Sequence, residues 1–201
     1  MSIIKLNNRA VKDATAVGTI TGLGNLVFIS RTTASSSSSV SITSGIDSTY
    51  KQYLFIFNNI HPATNSAHFE FNFSSDGGSN YNVTKTSTRF DAYHNESGSD
   101  TSLGYQGSYD LAQSTAYQNI CDTLGNDNDQ SVSGFMHLFD PSNTTFVKHF
   151  MIRVFRTHEG EYASDLHTAG YANTTSAINA LDFKMSSGNV DSGTIDMYGV
   201  L

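Results

Sequence analysis

The stretch HFEFNF (His68–Phe73) decides the fold class of this chain. Phe69, Phe71 and Phe73 alternate with polar residues, which places the three rings on one face of a β-strand. In an α-helix the same spacing would scatter the rings around the helix circumference. The sequence therefore predicts a strand here that is buried on one face.

The apolar residues just before this stretch predict a second strand. Tyr53, Phe55 and Phe57 share one face of it, and Leu54 and Ile56 share the other. Because both faces are apolar, we expect this strand to be buried on both sides.

Short strands separated by turns continue along the chain. Further strands are predicted at Leu26–Ser30, Asn82–Tyr93, Ser133–Phe139, Phe146–Phe155, Ala180–Met185 and Gly193–Tyr198. Asp76-Gly77-Gly78 is typical of a tight turn, and Asp140–Asn143 is typical of a proline-containing β-turn. The serine tract Ala34–Ser39 fits either a polar edge strand or a surface loop.

Helical signals are weak by comparison. The one helix candidate, Ala112–Thr123, contains Thr115 and Ile120, whose β-branched side chains disfavour a helix. No strand–helix–strand rhythm is present. We therefore predict an all-β fold, an antiparallel, jelly-roll-like β-sandwich with an extended N-terminal arm.

Charge and glycine content set the start of the chain apart. Residues 1–45 carry four basic side chains and one acidic side chain, whereas the remainder carries seven basic and 17 acidic ones. We divide the chain into an N-terminal arm at residues 1–25 and a single β-sandwich domain at residues 26–201. The alternative is that the charge bias is a fluctuation of small numbers. The candidate assembly site is the basic and apolar part of the arm, at Ile3, Ile4, Lys5, Leu6, Arg9, Val11 and Lys12.

Few residues have the spacing of a chemical site. The seven histidines include no HxH or HxxxH pair, so no metal site is predicted from them. The run Gly125–Ser131 carries oxygen donors at alternate positions, as calcium loops do, but lacks the closing glutamate. A solvated loop and a calcium site through Asp127 and Asp129 both stay open. Cys121, the single cysteine, is expected to be a core side chain rather than a reactive thiol.

Catalytic and membrane signatures are also missing from the sequence. Without a serine-nucleophile elbow or a phosphate-binding glycine loop, we expect no enzyme and no cofactor. No apolar run approaches the ~20 residues that span a bilayer, so we expect no membrane insertion. The opening MSIIKLNNRA lacks the features of a secretion signal, which predicts synthesis and folding in a cytoplasm. The net charge of −7 argues against nucleic-acid binding.

Several motifs, spread over nearly the whole chain, resemble a family of small structural proteins of marine phages, cyanophages especially. They are SIIKLNNRAVKD (Ser2–Asp13), YKQYLFIFNNIHPAT (Tyr50–Thr64), FSSDGGSNYN (Phe73–Asn82), LFDPSNTTFVKHF (Leu138–Phe150) and SGNVDSGTIDMYGVL (Ser187–Leu201). The second and last motifs are similar to β-domains of phage tail-fibre and minor virion proteins. All of them are structural motifs, and none of them names an active site.

The resemblance implies a virion protein that is made in the host bacterial cytoplasm. We expect a tail-fibre or adhesin-type part, or a capsid decoration protein, that contacts other virion proteins. We expect the protein to form a homo-oligomer, a trimer, that assembles through the N-terminal arm. The alternative is a carbohydrate-binding module for host surface polysaccharide. A depolymerase is a third hypothesis, since it needs only two suitably separated carboxylates, although the absence of tryptophan argues against a sugar-stacking cleft.

Overall fold

A computed structural model describes residues 25–201, and within them the chain forms twelve β-strands. The strands are β1 (Leu26–Ser37), β2 (Val40–Ile42), β3 (Gln52–Pro62), β4 (Ala67–Ser74), β5 (Lys85–Asn95), β6 (Thr101–Tyr105), β7 (Gln118–Leu124), β8 (Val132–Phe139), β9 (Lys148–Thr157), β10 (Tyr162–Ala172), β11 (Ala180–Met185) and β12 (Val190–Val200). An eight-stranded sheet has the order β1-β12-β3-β8-β9-β10-β5-β6, and a four-stranded sheet has the order β2-β11-β4-β7. All paired strands are antiparallel, which confirms the predicted all-β sandwich.

The connections make this sandwich a jelly roll. Strands β1, β2, β3 and β4 alternate between the two sheets, and so do β7, β8, β11 and β12 when β9 and β10 are set aside. The first strand pairs with the last, and β2 pairs with β11, as two interlocked Greek keys require. Four additional strands, β5, β6, β9 and β10, extend the larger sheet beyond β8. The smaller sheet ends at β7, which contacts β9 and β10, so β5 lies at the border of the sandwich.

A cluster of phenylalanine rings lies at the centre of the apolar core between the two sheets. The ring centroid of Phe183 on β11 lies 5.5 Å from that of Phe57, 5.9 Å from that of Phe69 and 6.2 Å from that of Phe71. All four side chains are fully buried. Such aromatic pairs each contribute about 0.5–1.5 kcal/mol beyond the burial of their area. The residues whose alternation predicted the strands therefore form the centre of the core.

Most of the predicted strands and turns are confirmed. The predicted strand Ala180–Met185 has the bounds of β11, and His68–Phe73 lies within β4. Gly77 and Gly78 have φ angles of 73° and 89°, which L-residues with a side chain rarely adopt, as the predicted tight turn requires.

The structure also decides the segments that the sequence left open. No helix forms at the weak candidate Ala112–Thr123, because its last six residues belong to β7, which begins at Gln118. The serine tract continues β1 as far as Ser37, so it is largely an edge strand. Strand β10 (Tyr162–Ala172) and the short strand β6 were not predicted from the sequence.

The two faces of β3 differ in what covers them. Tyr53, Phe55 and Phe57 are buried in the core, as predicted. Leu54 and Ile56 instead lie on the outer face of the larger sheet, which no second layer covers within residues 25–201. Leu54 is buried and Ile56 half-buried, so their shielding comes from neighbours in their own sheet. The apolar character of this second face therefore needs an explanation other than the core.

Candidate functional site

The outer face of the eight-stranded sheet is a broad surface with many apolar side chains. The strand register places one row of directly opposite residues across all eight strands: Arg31, Asp196, Ile56, Phe135, Arg153, His167, Phe90 and Tyr105. Side chains of alternate residues point to this face, so neighbouring rows add Phe28, Met151 and Phe155 to it. Toward β6 the face includes a shallow, open depression of about 740 Å³. We call this surface the outer face.

Many large apolar side chains of the outer face are exposed to solvent. Eight large side chains on it are between 37% and 73% exposed, namely Leu26, Phe28, Phe90, Leu103, Tyr105, Phe139, Met151 and Phe155. At about 200 Å² for each side chain, they leave on the order of 800 Å² accessible to solvent. These side chains are distributed from β1 at one edge of the sheet to β6 at the other, so this area is a sum over the whole face and not one contiguous patch. A face with this many exposed rings is a candidate interface.

The charges of the outer face are paired within the face. Arg31 Nε and Nη2 donate to the two carboxylate oxygens of Asp196, each at 2.7 Å. Arg153 makes the same two-fold contact with Asp165, at 3.0 and 2.8 Å. These hydrogen bonds hold the pKa values of both carboxyl groups below their ordinary value. Burial of the outer face would therefore enclose ion pairs rather than unpaired charges.

The inner surface at the border of the sandwich carries a second feature, a buried ionic cluster. Its four members are Arg89 and Asp91 on β5, Asp122 on β7, and Arg156 on β9. Arg89 Nη2 lies 3.2 Å from Asp91 Oδ2 and also contacts Asp122 Oδ1, while Arg156 Nη1 lies 3.2 Å from Asp122 Oδ2. The Tyr109 ring covers Arg89, whose guanidinium carbon lies 4.6 Å from the ring centroid. The cluster thus joins the two sheets where the apolar core ends.

The pKa values of the two carboxyl groups of the cluster are shifted in opposite directions. Burial raises the pKa of Asp91, and Arg89 only partly offsets this effect because Asp122 repels the Asp91 charge. Burial would also raise the pKa of Asp122, but Arg156 and Arg89 together hold it well below its ordinary value. Asp122 is therefore an anion that pairs with two cations. Burial raises the pKa of the neighbouring Cys121 thiol to about 12, which confirms a core side chain and leaves no thiolate at neutral pH.

A cavity of about 340 Å³ lies over the ionic cluster. Its floor is buried and polar, and includes Asp91, Asp122, Arg156 and Ser164. Its rim is partly exposed and includes three aromatic side chains, Tyr93, His158 and Tyr162. The rings of Tyr93 and Tyr162 meet edge to face at 5.5 Å, and Tyr162 Oη donates to Asp100 Oδ2 at 3.2 Å. Burial, followed by the nearby Arg156 charge, lowers the pKa of His158, so this side chain is neutral near pH 7. The cavity can hold a small polar molecule between aromatic and charged walls.

The structure does not test the site residues that the sequence singled out. The arm residues Ile3, Ile4, Lys5, Leu6, Arg9, Val11 and Lys12 lie outside the described residues. Asp127 and Asp129 lie in an exposed loop, where the Asp127 carbonyl accepts from the Gln130 amide at 2.9 Å.

Across residues 25–201, no group of three or more histidine, cysteine or acidic side chains is arranged to hold a metal ion. Over the same span, no helix has the length and apolar character to cross a membrane.

The sequence analysis did not predict the ionic cluster, although the alternation along β9 indicates the position of one of its members. Arg156 follows Phe150, Ile152 and Val154 at the same strand spacing, so the alternation alone places Arg156 on the inner face. A basic side chain on an apolar face requires a partner. That partner, Asp122, is 34 positions away in the sequence, and only the tertiary structure brings the two together.

Comparison with known proteins adds no family assignment. No protein-family model matches the chain, and no curated protein matches it in sequence.

Proposed function

We propose that this chain is a structural protein on the surface of a bacteriophage particle, where it acts through contacts between copies and not through catalysis. It is a tail-fibre or adhesin-type part, or a capsid decoration protein, made in the host cytoplasm. The observation that carries the proposal is the outer face, an extended apolar surface whose charges are already paired. The resemblance of the sequence motifs to phage structural proteins supports the placement on a virion.

The outer face suits a second copy of the same chain for two reasons. Its exposed apolar side chains amount to on the order of 800 Å², which is about the area that each partner contributes to a stable interface. The Arg31–Asp196 and Arg153–Asp165 pairs neutralise each other within one face, so two copies bring no uncompensated charge together. The assembly expected from the sequence is a trimer, whereas a single face that contacts the same face of one other copy closes as a twofold dimer.

The oligomeric state of the full chain tests this assembly. We expect sedimentation equilibrium to give a mass of three times the 21.8 kDa chain for the unaltered protein. The double variant Phe90→Ser, Phe155→Ser removes two exposed rings from the outer face and should sediment as a monomer. Phe146→Ser is the matched control, because Phe146 is 68% exposed but lies in the loop between β8 and β9.

Either of two results would overturn the assembly. One is a monomeric unaltered protein, for which the outer face is free or is covered by the chain's own residues 1–25. The other is an unchanged mass for the double variant. A dimer that the double variant disrupts would support the outer face as the interface and would show that the assembly contains two copies, not three.

Purified particles test the placement on the virion. We expect quantitative mass spectrometry to find hundreds of copies per particle for decoration, or a multiple of three or six for a tail part. Absence of the protein from the particle would refute the proposal.

A full-length variant with Lys5, Arg9 and Lys12 changed to Ser tests the N-terminal arm, and it should fold but fail to join particles. Normal incorporation of that variant would contradict the role of the arm. Incubation with host polysaccharide should release no reducing ends, and their release would identify an enzyme instead.

A further inference from the structure

We propose that the outer face is an acid-sensitive interface, which joins copies of the chain at pH 8 and releases them at pH 5 as three histidine side chains take up protons. The three are His137 on β8, His149 on β9 and His167 on β10. The inference rests on the proposed assembly through the outer face and adds a means of reversing it.

The strand register places all three histidines on the outer face. His137 lies directly opposite Met151, and His149 lies two residues before Met151 on the same strand, so both share its face. His167 lies opposite Arg153 in the row that crosses the whole sheet. His149 is exposed, and the other two histidines are half-buried. A second copy that binds to the outer face therefore brings these imidazole rings into or beside the interface.

Two of the imidazole rings stack on exposed phenylalanine rings of the face. The His167 ring lies on Phe90, with 4.8 Å between the centroids and 11° between the planes. The His137 ring is nearly parallel to that of Phe139, with 6.0 Å between the centroids. Burial lowers the pKa of His137 below its ordinary value, so its imidazole is neutral at pH 8. Neutral imidazoles therefore leave this part of the face apolar.

A proton on His137 would have no carboxylate beside it on the neighbouring strands. On β3, His137 faces Leu54 and contacts the side-chain amide of Gln52. On β9, the side chains on either side of its opposite residue are His149 and Arg153. Both of these groups are cations when protonated, so they oppose a charge on His137.

The surroundings of His149 also lack a carboxylate. On β10 it faces Tyr171, and the next outward side chain of that strand is Ala169. On β8 the outward side chains near it are those of His137 and Phe139. Protonated His149 is therefore an unpaired charge once a second copy excludes water from it.

His167 has a carboxylate partner, but that carboxylate is already shared. Its Nε2 lies 3.1 Å from Asp165 Oδ1, and Arg153 donates two hydrogen bonds to the same carboxylate. On β5, the side chain that His167 faces is Phe90, which carries no charge. Protonation therefore places two cations beside one anion.

The net charge of the outer face consequently depends on pH. At pH 8 the Arg31–Asp196 and Arg153–Asp165 pairs sum to zero. Protonation of the three histidines adds three positive charges to each copy, and two copies in contact bring these like charges together away from water. Separated copies therefore bind more protons than assembled ones, so the association constant falls as the pH falls.

Sedimentation equilibrium of the full-length protein at pH 8 and at pH 5 tests the inference. We expect the association constant of the unaltered protein to fall at least about a hundredfold between the two, because each histidine that must lose its proton on association contributes up to about tenfold per pH unit. The triple variant His137→Gln, His149→Gln, His167→Gln cannot take up these protons. Its association constant should change by less than about tenfold.

The double variant His68→Gln, His158→Gln is the control. His68 lies on the smaller sheet, and His158 lies in the loop after β9, so neither belongs to the outer face. This variant should dissociate at pH 5 as the unaltered protein does. Circular dichroism at each pH shows whether the separated copies stay folded, and a loss of assembly that coincides with unfolding would overturn the inference.

Two further results would overturn the inference and leave the proposed assembly standing. One is an equal association constant at the two pH values, and the other is a triple variant that dissociates at pH 5 as readily as the unaltered protein. A monomeric unaltered protein at pH 8 would instead overturn the proposed assembly, and the inference with it. If the triple variant fails to assemble at pH 8, the three single variants replace it. Each should then reduce the slope of the logarithm of the association constant against pH, and an unchanged slope in all three would overturn the inference.

Discussion

Asp91 and Asp122 contact the same nitrogen atom, Nη2 of Arg89, from the two different sheets of the sandwich. Asp91 reaches it from β5, two residues along the same strand, and Asp122 reaches it from β7 across the interior. The contact joins the extension of the larger sheet to the edge of the smaller one. It also places a charged cluster beside a core that is otherwise apolar.

The first prediction concerns the contribution of this cluster to the free energy of unfolding. Asp122→Asn leaves the buried Arg89 and Arg156 with one fewer carboxylate, so we expect a loss of about 3–5 kcal/mol in the free energy of unfolding. Asp165→Asn is the control, because it breaks a two-fold arginine contact on the outer face that is partly exposed. The control should cost less than about 1 kcal/mol. Urea unfolding at neutral pH measures both values, and equal losses would contradict the role of the cluster.

The second prediction concerns pH. Lys85 is fully buried, its Nζ donates to Asn72 Oδ1 at 2.5 Å and to the Val83 carbonyl at 2.9 Å, and burial lowers its pKa from 10.5 to about 7. Between these two pKa values the unfolded chain binds more protons than the folded one, so stability rises with pH in this window and is lost as pH falls through about 7.

The size of the effect follows from the same pKa shift. From pH 7 to pH 9 the expected gain in unfolding free energy is about 2 kcal/mol. Urea unfolding at the two pH values measures it. Lys85→Met removes the titrating group, so the difference between the two pH values should shrink by that amount. An unchanged difference would show that the Lys85 amine does not titrate in this range.

The third prediction concerns the single thiol. Cys121 is fully buried and its pKa is raised to about 12, so the nucleophilic thiolate is absent at neutral pH. Iodoacetamide should leave the folded protein unmodified and should label it completely in concentrated urea. Intact-mass spectrometry distinguishes the two states. Rapid labelling of the folded protein would favour the reactive-thiol alternative.

The fourth prediction concerns the aromatic core. Phe183→Ala removes a ring that packs against Phe57, Phe69 and Phe71 and leaves a cavity, so we expect a loss of about 3–5 kcal/mol. Phe146→Ala removes an exposed ring of the same type and should change stability by less than about 0.5 kcal/mol. Thermal and urea unfolding of both variants provide the comparison. A small effect at Phe183 would mean that the core repacks around the missing ring.

The fifth prediction concerns calcium. Asp127 and Asp129 are exposed in their loop, and the Asp127 carbonyl already accepts from Gln130 and contacts His61 Nε2 at 3.2 Å. We therefore expect the midpoint of thermal unfolding to be the same with a chelator and with excess calcium. A specifically bound ion would raise the midpoint through mass action. A rise of that kind, lost in an Asp127→Asn variant, would support the calcium loop.

The sequence was informative wherever structure follows from local alternation. The Phe69, Phe71 and Phe73 series lies in β4 because side chains two residues apart share a face, whatever the rest of the chain does. The same reasoning failed for β10, where Ala163, Ser164 and Ala169 are small or polar and carry little alternation. That strand is held by its neighbours β5 and β9, between which it lies.

Taken alone, the sequence determined an antiparallel β-sandwich with an aromatic core, because the alternation of residues along a strand and the turn preferences of glycine and proline are local properties. The tertiary structure alone decided that β5, β6, β9 and β10 widen one sheet, that an apolar face is left without a covering layer, and that Arg89, Asp122 and Arg156 meet beside a cavity. These features depend on strand order and register. Both are determined by contacts between residues far apart in the chain, which no local pattern specifies.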